Sequence, residues 1–307
     1  MNNRAVLITG ISGFLGSQIA RQLLLDGYKV FATRRKISDL ARCENFKSDI
    51  NWIDLEDSDW QIKVIKLKPE VIIHSAWLGV SANDRDNWSV QFSNVEFVLN
   101  LLSIAKSCKV EKFIAFGSQA EYGVFSGVID EKYPTNPSSS YASAKVAVSQ
   151  IINNYSTLNG LNWYWFRLFS FFGEQEDSNW LIPTLIERIN NLERMDMTPG
   201  EQKYAYMYVG DLAKIISKIV GSNLESGIYN ISSSSAISLV ELTQKILNII
   251  KPKNSQINFG AIPYRANQSM LIQGSNKKLE LALGIEIQET DFEESLTSVI
   301  KYKLNEN

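Results

Sequence analysis

An apolar run of strand character, Ala5-Val6-Leu7-Ile8-Thr9, meets Gly10, Gly13 and Gly16 at three-residue spacing, and a helical repeat of Ile19, Ala20, Leu23 and Leu24 follows. A buried strand, a glycine-rich turn and an amphipathic helix in this order suit a backbone that must come close to a pyrophosphate. Gly10 and Gly13 would let the chain turn tightly beside the phosphates, and Gly16 would let the helix close onto the strand. The backbone N–H groups around Ser12, Phe14 and Leu15, at the positive end of the helix dipole, would face the negative charge. Taken alone, the glycines are equally compatible with an ordinary strand-to-helix turn.

The rest of the first half repeats the alternation. Strands are expected near 4–9, 29–33, 50–53, 70–75, 111–116 and 162–168, and helices near 14–26, 57–66, 89–107, 141–159 and 178–190. Strands separated by helical patterns imply a parallel sheet covered on both faces. Beyond residue 168 the elements shorten and Ser, Asn and Pro punctuate them, with a Ser-rich turn at 232–235. No internal repeat is visible.

Tyr141-Ala142-Ser143-Ala144-Lys145 puts a phenol and an ammonium on one face of a helix. An ammonium beside a phenol favours the phenolate, so Lys145 is expected to lower the Tyr141 pKa from its usual value of about 10. Y-x-x-x-K also arises by chance in many helices.

Composition narrows the function classes. The chain has 307 residues, is 45% hydrophobic and 21% charged, and carries a formal net charge of −2. No basic block suggests nucleic acid, and no apolar run approaches the ~18–20 residues a membrane span needs. The first strand begins within a few residues of Met1, which leaves no room for a signal peptide. Cys43 and Cys108 are the only cysteines and are expected to be unbridged, as in a reducing cytoplasm. The single histidine, His74, argues against a His-rich metal site and is read as a satisfied strand-end residue.

Together with Tyr141/Lys145 and Phe113-Ile114-Ala115-Phe116-Gly117-Ser118-Gln119-Ala120-Glu121-Tyr122-Gly123, the G-x-x-G-x-x-G turn resembles the extended branch of the short-chain dehydrogenase/reductases, the NAD-dependent epimerase/dehydratase family. The motifs stand in family order and at family distances, and the resemblance covers nearly the whole chain. It implies an α/β fold: a doubly wound parallel Rossmann sheet with a smaller, discontinuous C-terminal substrate domain. Residues 1–168 with about 204–231 would bind the dinucleotide, and about 169–203 with 232–307 the nucleotide sugar. Tyr206-Met207-Tyr208-Val209 and Gly227-Ile228-Tyr229-Asn230 resemble segments that return to the large sheet. Ser118, Tyr141 and Lys145 would be catalytic, with Tyr141 and Lys145 also touching the cofactor.

In this family a carboxylate at the end of the second strand binds the ribose 2′-OH of NAD. Here Thr33 is followed by Arg34, Arg35 and Lys36, which suits the 2′-phosphate of NADP(H), although a solvated basic turn would read the same way. Asp54-Leu55 resembles the family's adenine contact.

The resemblance also implies a nucleoside-diphosphate sugar as substrate. Trp163–Gly173 resembles an R-x-x-N-x-x-G segment with Ser170 at the Asn position, and Asn179 with Leu181-Ile182-Pro183 resembles the sugar-nucleotide loop. A phosphate-binding Arg is replaced by Tyr204, leaving Lys203 as a substitute and Arg265 as the second phosphate ligand. Ser118, Gln119, Asn179, Lys203 and Arg265 are therefore the expected substrate contacts. Family 4,6-dehydratases carry Asp-Glu where this chain has Gln119-Ala120, and epimerase/reductases of the fucose-synthase type need a Cys and a His that Cys108 and His74 do not match. NADPH-dependent reduction of the C4 keto group of an NDP-4-keto-6-deoxyhexose is expected, with an NDP-sugar 4-epimerase as the alternative. A non-catalytic NADP-binding regulator is a remote third, since such proteins commonly lose the Tyr or Lys kept here. In the family, helices at the positions of 89–107 and 141–159 form a homodimer interface. Val95, Val98, Leu99, Leu102 and Ala105, with Val146, Ala147, Ile151 and Tyr155, supply the apolar stripes.

Overall fold

The computed structural model describes residues 4–81 and 84–305. Its first half runs β1 (Ala5–Thr9), α1 (Phe14–Leu25), β2 (Lys29–Arg34), β3 (Asn51–Asp54), α2 (Trp60–Leu67), β4 (Val71–His74), α3 (Trp88–Cys108), β5 (Lys112–Ser118), β6 (Gly127–Ile129), α4 (Ser140–Asn159), β7 (Asn162–Leu168) and β8 (Ser170–Phe172). The second half continues with α5 (Leu181–Asn190), β9 (Met195–Met197), β10 (Lys203–Tyr204), β11 (Tyr206–Tyr208), α6 (Val209–Gly221), β12 (Gly227–Ile231), β13 (Ile237–Ser238), α7 (Leu239–Ile250), β14 (Ile257–Phe259), β15 (Leu271–Gly274), α8 (Lys277–Leu283) and α9 (Phe292–Asn305).

Seven strands form one parallel sheet in the order β12-β7-β5-β4-β1-β2-β3. Val6, Leu7 and Ile8 are all fully buried because both faces are covered, which is why β1 reads as an unbroken apolar run. Val6 and Ile8 pack in one core with Ile19 and Leu23 of α1 and Leu212 and Ile216 of α6. Leu7 faces the other core, with Val64 of α2, Val98 and Leu102 of α3, and Val148 and Ile152 of α4. The strand order reverses between β1 and β4, so the segments that follow these two strands flank the crevice where such sheets bind ligands.

A third core joins Ile182, Leu185 and Ile186 of α5 to Leu242 and Ile246 of α7 and Leu296 and Val299 of α9. Beside it stands a four-stranded sheet, β13-β10-β15-β6. Leu279 of α8 and Ile287, although late in the chain, pack into the first core.

Two expectations need correction. Gly227–Ile231 returns to the large sheet beside β7, but Tyr206–Tyr208 does not: it pairs with Ser170–Phe172 in a separate two-stranded sheet and leads directly into α6. The helix expected from 178 starts at Leu181, because Asp177–Trp180 closes a turn (Trp180 N to Asp177 O, 3.0 Å). Pro183 sits in its first turn, where no intrahelical N–H bond is needed.

The apolar stripes on α3 and α4 divide. Val98, Leu102 and Ala105 are buried against the sheet, whereas Leu99 is exposed, together with Trp88 and Phe92 on the same helix. On α4, Val146, Ile151 and Tyr155 are half-buried and Ala147 is exposed. Cys43 is buried and Cys108 half-buried, both as free thiols. Among the described residues no helix is long and apolar enough to cross a membrane, and none form a cluster of three or more His, Cys, Asp or Glu able to hold a metal.

Candidate functional site

The turn after β1 is shaped by Gly10, which takes φ +74°, and a Cβ there would collide with the backbone of Ala76. A Cβ on Gly16 would strike the Gly10 carbonyl, so the helix can close on the turn only as glycine. Gly13 differs from expectation. Its φ of −82° suits any residue, and an added Cβ would meet only Gly10 O at 3.3 Å. Its contribution is an uncrowded surface at the head of α1, where Ser12, Phe14 and Leu15 lie. That helix has no side-chain cap and no acidic residue in its first turn, so its free N–H groups and dipole are available to phosphate. These residues fit a dinucleotide. Thr9 Oγ1 and His74 Nδ1, 2.8 Å apart, tie the ends of β1 and β4 together. Burial, and then the charge of Lys145, push the His74 imidazole down to about 3, which makes it a neutral structural residue.

Ser118 ends β5, and Tyr141 and Lys145 lie in the first turns of α4. The fold brings the three together: Ser118 stands near enough to the Tyr141 phenol to pull its pKa down. Lys145 Nζ lies 5.7 Å from the Tyr141 ring centroid. It donates to Phe116 O at 2.7 Å and sits 3.4 Å from the centre of the Trp77 ring. Burial holds its ammonium down at about 7, against the opposing pull of Glu121. The expected effect of Lys145 on Tyr141 is not what the packing gives. Burial raises the phenol above its ordinary value, Ser118 and Arg85 pull it down, and Glu121 raises it further.

At the end of β2, Thr33 is buried with its hydroxyl unpartnered. Arg34 does not stand free: its Nε pairs with Asp54 at 2.7 Å and its guanidinium lies over Trp52. Asp54, expected at the adenine, is thereby a partner of Arg34, while Leu55 N donates to Arg34 O at 2.8 Å. Arg35 is exposed.

The expected substrate contacts are less concentrated. Gln119 adjoins Ser118, and its Oε1 is buried without a partner. Lys203 and Arg265 are both exposed. Their segments are stitched together by Glu201 N donating to Tyr264 Oη at 3.0 Å and Gln268 Nε2 donating to Tyr204 Oη at 3.4 Å. Asn179 is exposed in the turn before α5, and no contact draws it to Ser118 or Tyr141.

Four features escaped sequence reading. Arg85 lies with its guanidinium carbon 4.7 Å from the Tyr141 ring centroid. Trp77 meets the same ring edge-on at 6.2 Å. Both belong to the segment after β4, and its place at the strand-order reversal was the only available signal. Glu121, fully buried, accepts from Arg167 Nε (2.8 Å), Trp165 Nε1 (3.0 Å) and Ser118 N (2.9 Å). On the loop after β8, burial and then the Asp177 charge push Glu176 up to about 8.

A seven-stranded doubly wound sheet, a glycine cradle at its reversal point and a Ser–Tyr–Lys cluster beside it define a dinucleotide-dependent enzyme of the extended short-chain dehydrogenase/reductase type. The family model described as the NAD dependent epimerase/dehydratase family matches residues 6–232, and the chain belongs to that family. It is 25% identical to a dTDP-6-deoxy-L-talose 4-dehydrogenase (NAD(+)) of Aggregatibacter actinomycetemcomitans, over 88% of this chain and 99% of that one. It is 28% identical to a putative UDP-glucose 4-epimerase of Methanocaldococcus jannaschii, over 98% and 99% of the two chains. Among solved structures, UDP-glucose 4-epimerase of Thermotoga maritima with UDP-glucose shares the fold, with a TM-score of 0.86, 22% identity and coverage of 100% and 99%.

Proposed function

We propose that the protein reduces the C4 keto group of an NDP-4-keto-6-deoxyhexose with NADPH. The observation that carries this reading is the approach of Ser118 to Tyr141 beside Lys145, with Gln119 and Ala120 following Ser118. Neither Gln119 nor Ala120 can perform the second acid–base step of a dehydration. The chemistry left to the cluster is proton transfer at one sugar oxygen, coupled to redox at the carbon that bears it. A relative named as a 4-dehydrogenase is consistent with redox at that carbon.

The nicotinamide, when bound, supplies the hydride. Tyr141 gives its phenolic proton to the carbonyl oxygen. Ser118 donates a hydrogen bond to the same oxygen and holds the phenol in line. Lys145, fixed by Phe116 O and Trp77, is placed to hold the nicotinamide ribose. The burial of Tyr141 and Lys145 keeps water from competing for the proton. Arg35, with the terminal nitrogens of Arg34, would grip a 2′-phosphate, and no carboxylate ends β2 to repel it.

The third core, with the paired segments around Lys203 and Arg265, would form the sugar-nucleotide half, and the exposed Trp88, Phe92 and Leu99 would lie in a homodimer interface. A 4-epimerase is favoured instead by the Methanocaldococcus relative. Following NADPH absorbance during incubation with dTDP-4-keto-6-deoxyglucose separates the two. Stoichiometric loss is expected, whereas interconversion of UDP-glucose and UDP-galactose without net NADPH loss would replace the reductase with the epimerase.

A further inference from the structure

The Lys145 ammonium is buried with no carboxylate in contact. It forms no ion pair among the described residues, and Glu121 is taken by Arg167, Trp165 Nε1 and Ser118 N. Its hydrogen bond goes to Phe116 O at 2.7 Å. The rest of its surroundings is aromatic: Nζ lies 3.4 Å from the centre of the Trp77 ring and 5.7 Å from those of Tyr141 and Trp165. A buried charge is costly unless something replaces its water, and the negative face of an indole can do so. Trp77, much the closest ring, is latched in place. Its Nε1 donates to Gln91 Oε1 at 2.9 Å, and Gln91, fully buried on α3, donates through Nε2 to Gly79 O at 2.9 Å. Asn94, one turn along α3, accepts from Leu78 N at 2.8 Å and donates to Leu78 O at 3.0 Å. The segment after β4 is thus tied down on α3 with the indole face over Lys145.

We propose that Trp77 is a positioning residue for Lys145: its indole face, latched by Gln91, holds the buried ammonium in place and in its charged form. The proposal deepens the function above. It rests on the part given there to Lys145, and not on whether the reaction is a reduction or an epimerisation. That part needs the ammonium, which offers three N–H donors and a full charge where the neutral amine offers two and none. The other groups facing Lys145 do not replace the indole. Glu121, on the turn after β5, is an anion but is already paired with Arg167 of β7. His74, at the end of β4, is a neutral imidazole, and Tyr141, on α4, is a neutral phenol at ordinary pH. Arg85, beside Tyr141, and Arg167 carry the same sign as Lys145. Because burial already brings Lys145 down to about 7, any loss of support for the ammonium shows near neutral pH.

The test is a titration of Lys145 in the full-length protein. Lysine labelled with ¹³C at Cε is incorporated, the Lys145 signal is identified by its loss in Lys145→Arg, and its shift is followed with pH. Trp77→Leu should lower the midpoint by about one pH unit, a tenfold loss of proton affinity. Trp77→Phe, which keeps a smaller ring face, should lower it by less, and so should Gln91→Met, which frees the indole. The sign separates this role from a merely structural one. If Trp77 only keeps water out, removing it hydrates the ammonium and the midpoint rises. Circular dichroism checks that each variant is folded, and Trp77→Met serves if the Leu variant is not. A midpoint that stays or rises in Trp77→Leu overturns the proposal, and so does one that falls as far in Trp77→Phe as in Trp77→Leu. The titration uses no substrate, so failure of the reductase reading alone would leave these shifts intact and appear as absent turnover of keto-sugar.

Discussion

Glu121 and Arg167 form an ion pair at 2.8 Å with their side chains 0% and 4% exposed, and the same carboxylate accepts the Ser118 N–H. One buried charge pair thus fixes the end of β5 where the Ser118 hydroxyl must point. The Ser118 side chain returns the favour through a capping box over Gln119–Tyr122. Removing one partner leaves the other charge buried and unpaired, which costs roughly 3–5 kcal/mol. Glu121→Gln should therefore lower unfolding stability by about 3 kcal/mol in urea titrations. A loss below about 1 kcal/mol would mean that the pair is solvated in a way its burial does not suggest.

Glu176 gives a pH signature. Its folded carboxyl is raised from the ordinary 4.5 to about 8, by burial first and by Asp177 second. Between those two values the folded state keeps a proton that the unfolded state has lost, so stability falls as pH rises through this window. Glu176→Gln imitates the neutral acid. It should match the wild type near pH 5 and exceed it by on the order of 2 kcal/mol near pH 8.5, read from paired thermal melts. An offset that stays constant with pH would contradict this.

The Arg34–Asp54 pair leaves Arg35 the freer of the two guanidiniums after β2, and on the proposed NADPH reading Arg35 would meet the 2′-phosphate. Hydrogen bonds to charged groups contribute ~1.5–3 kcal/mol, so Arg35→Ala should weaken NADPH binding about tenfold or more while leaving NADH nearly unchanged. Quenching of tryptophan fluorescence reads both affinities. Equal losses for the two dinucleotides would remove the 2′-phosphate from the account.

Lys203 and Arg265 lie in segments joined through Glu201–Tyr264 and Gln268–Tyr204. If Arg265 carries the diphosphate, Arg265→Ala should raise KM about tenfold with a smaller change in kcat, because that contact exists before and during the chemistry. Steady-state kinetics in which only Lys203→Ala raises KM would move the diphosphate to the other segment.

The strands and helices of the large sheet were legible because their signal is local: the continuous apolar runs of β1 and β4 and the helical repeat after Gly16. The Tyr141/Lys145 pair was legible for the same reason, being one helical turn apart. What Lys145 does was not, because Phe116 O and the Trp77 ring reach it from other elements. Arg85 reaches Tyr141 from an aperiodic loop, and Glu121 meets Arg167 across 46 residues of chain, so neither contact leaves a trace in spacing. The misplacement of Tyr206–Tyr208 has a related cause. An apolar strand pattern does not say which sheet it joins, and the partner here is Ser170–Phe172.

In the proposed reaction Ser118 and Tyr141 serve a net reduction at sugar C4. Supplying NADPH deuterated at its transferable position, together with dTDP-4-keto-6-deoxyglucose, and reading the product by NMR tests it most directly. One deuterium is expected at C4 of the product sugar, with a rate that falls ~10²–10⁴-fold in Tyr141→Phe while NADPH binding is retained. A product sugar without deuterium at C4, or a Tyr141→Phe variant that turns over at the wild-type rate, would contradict it.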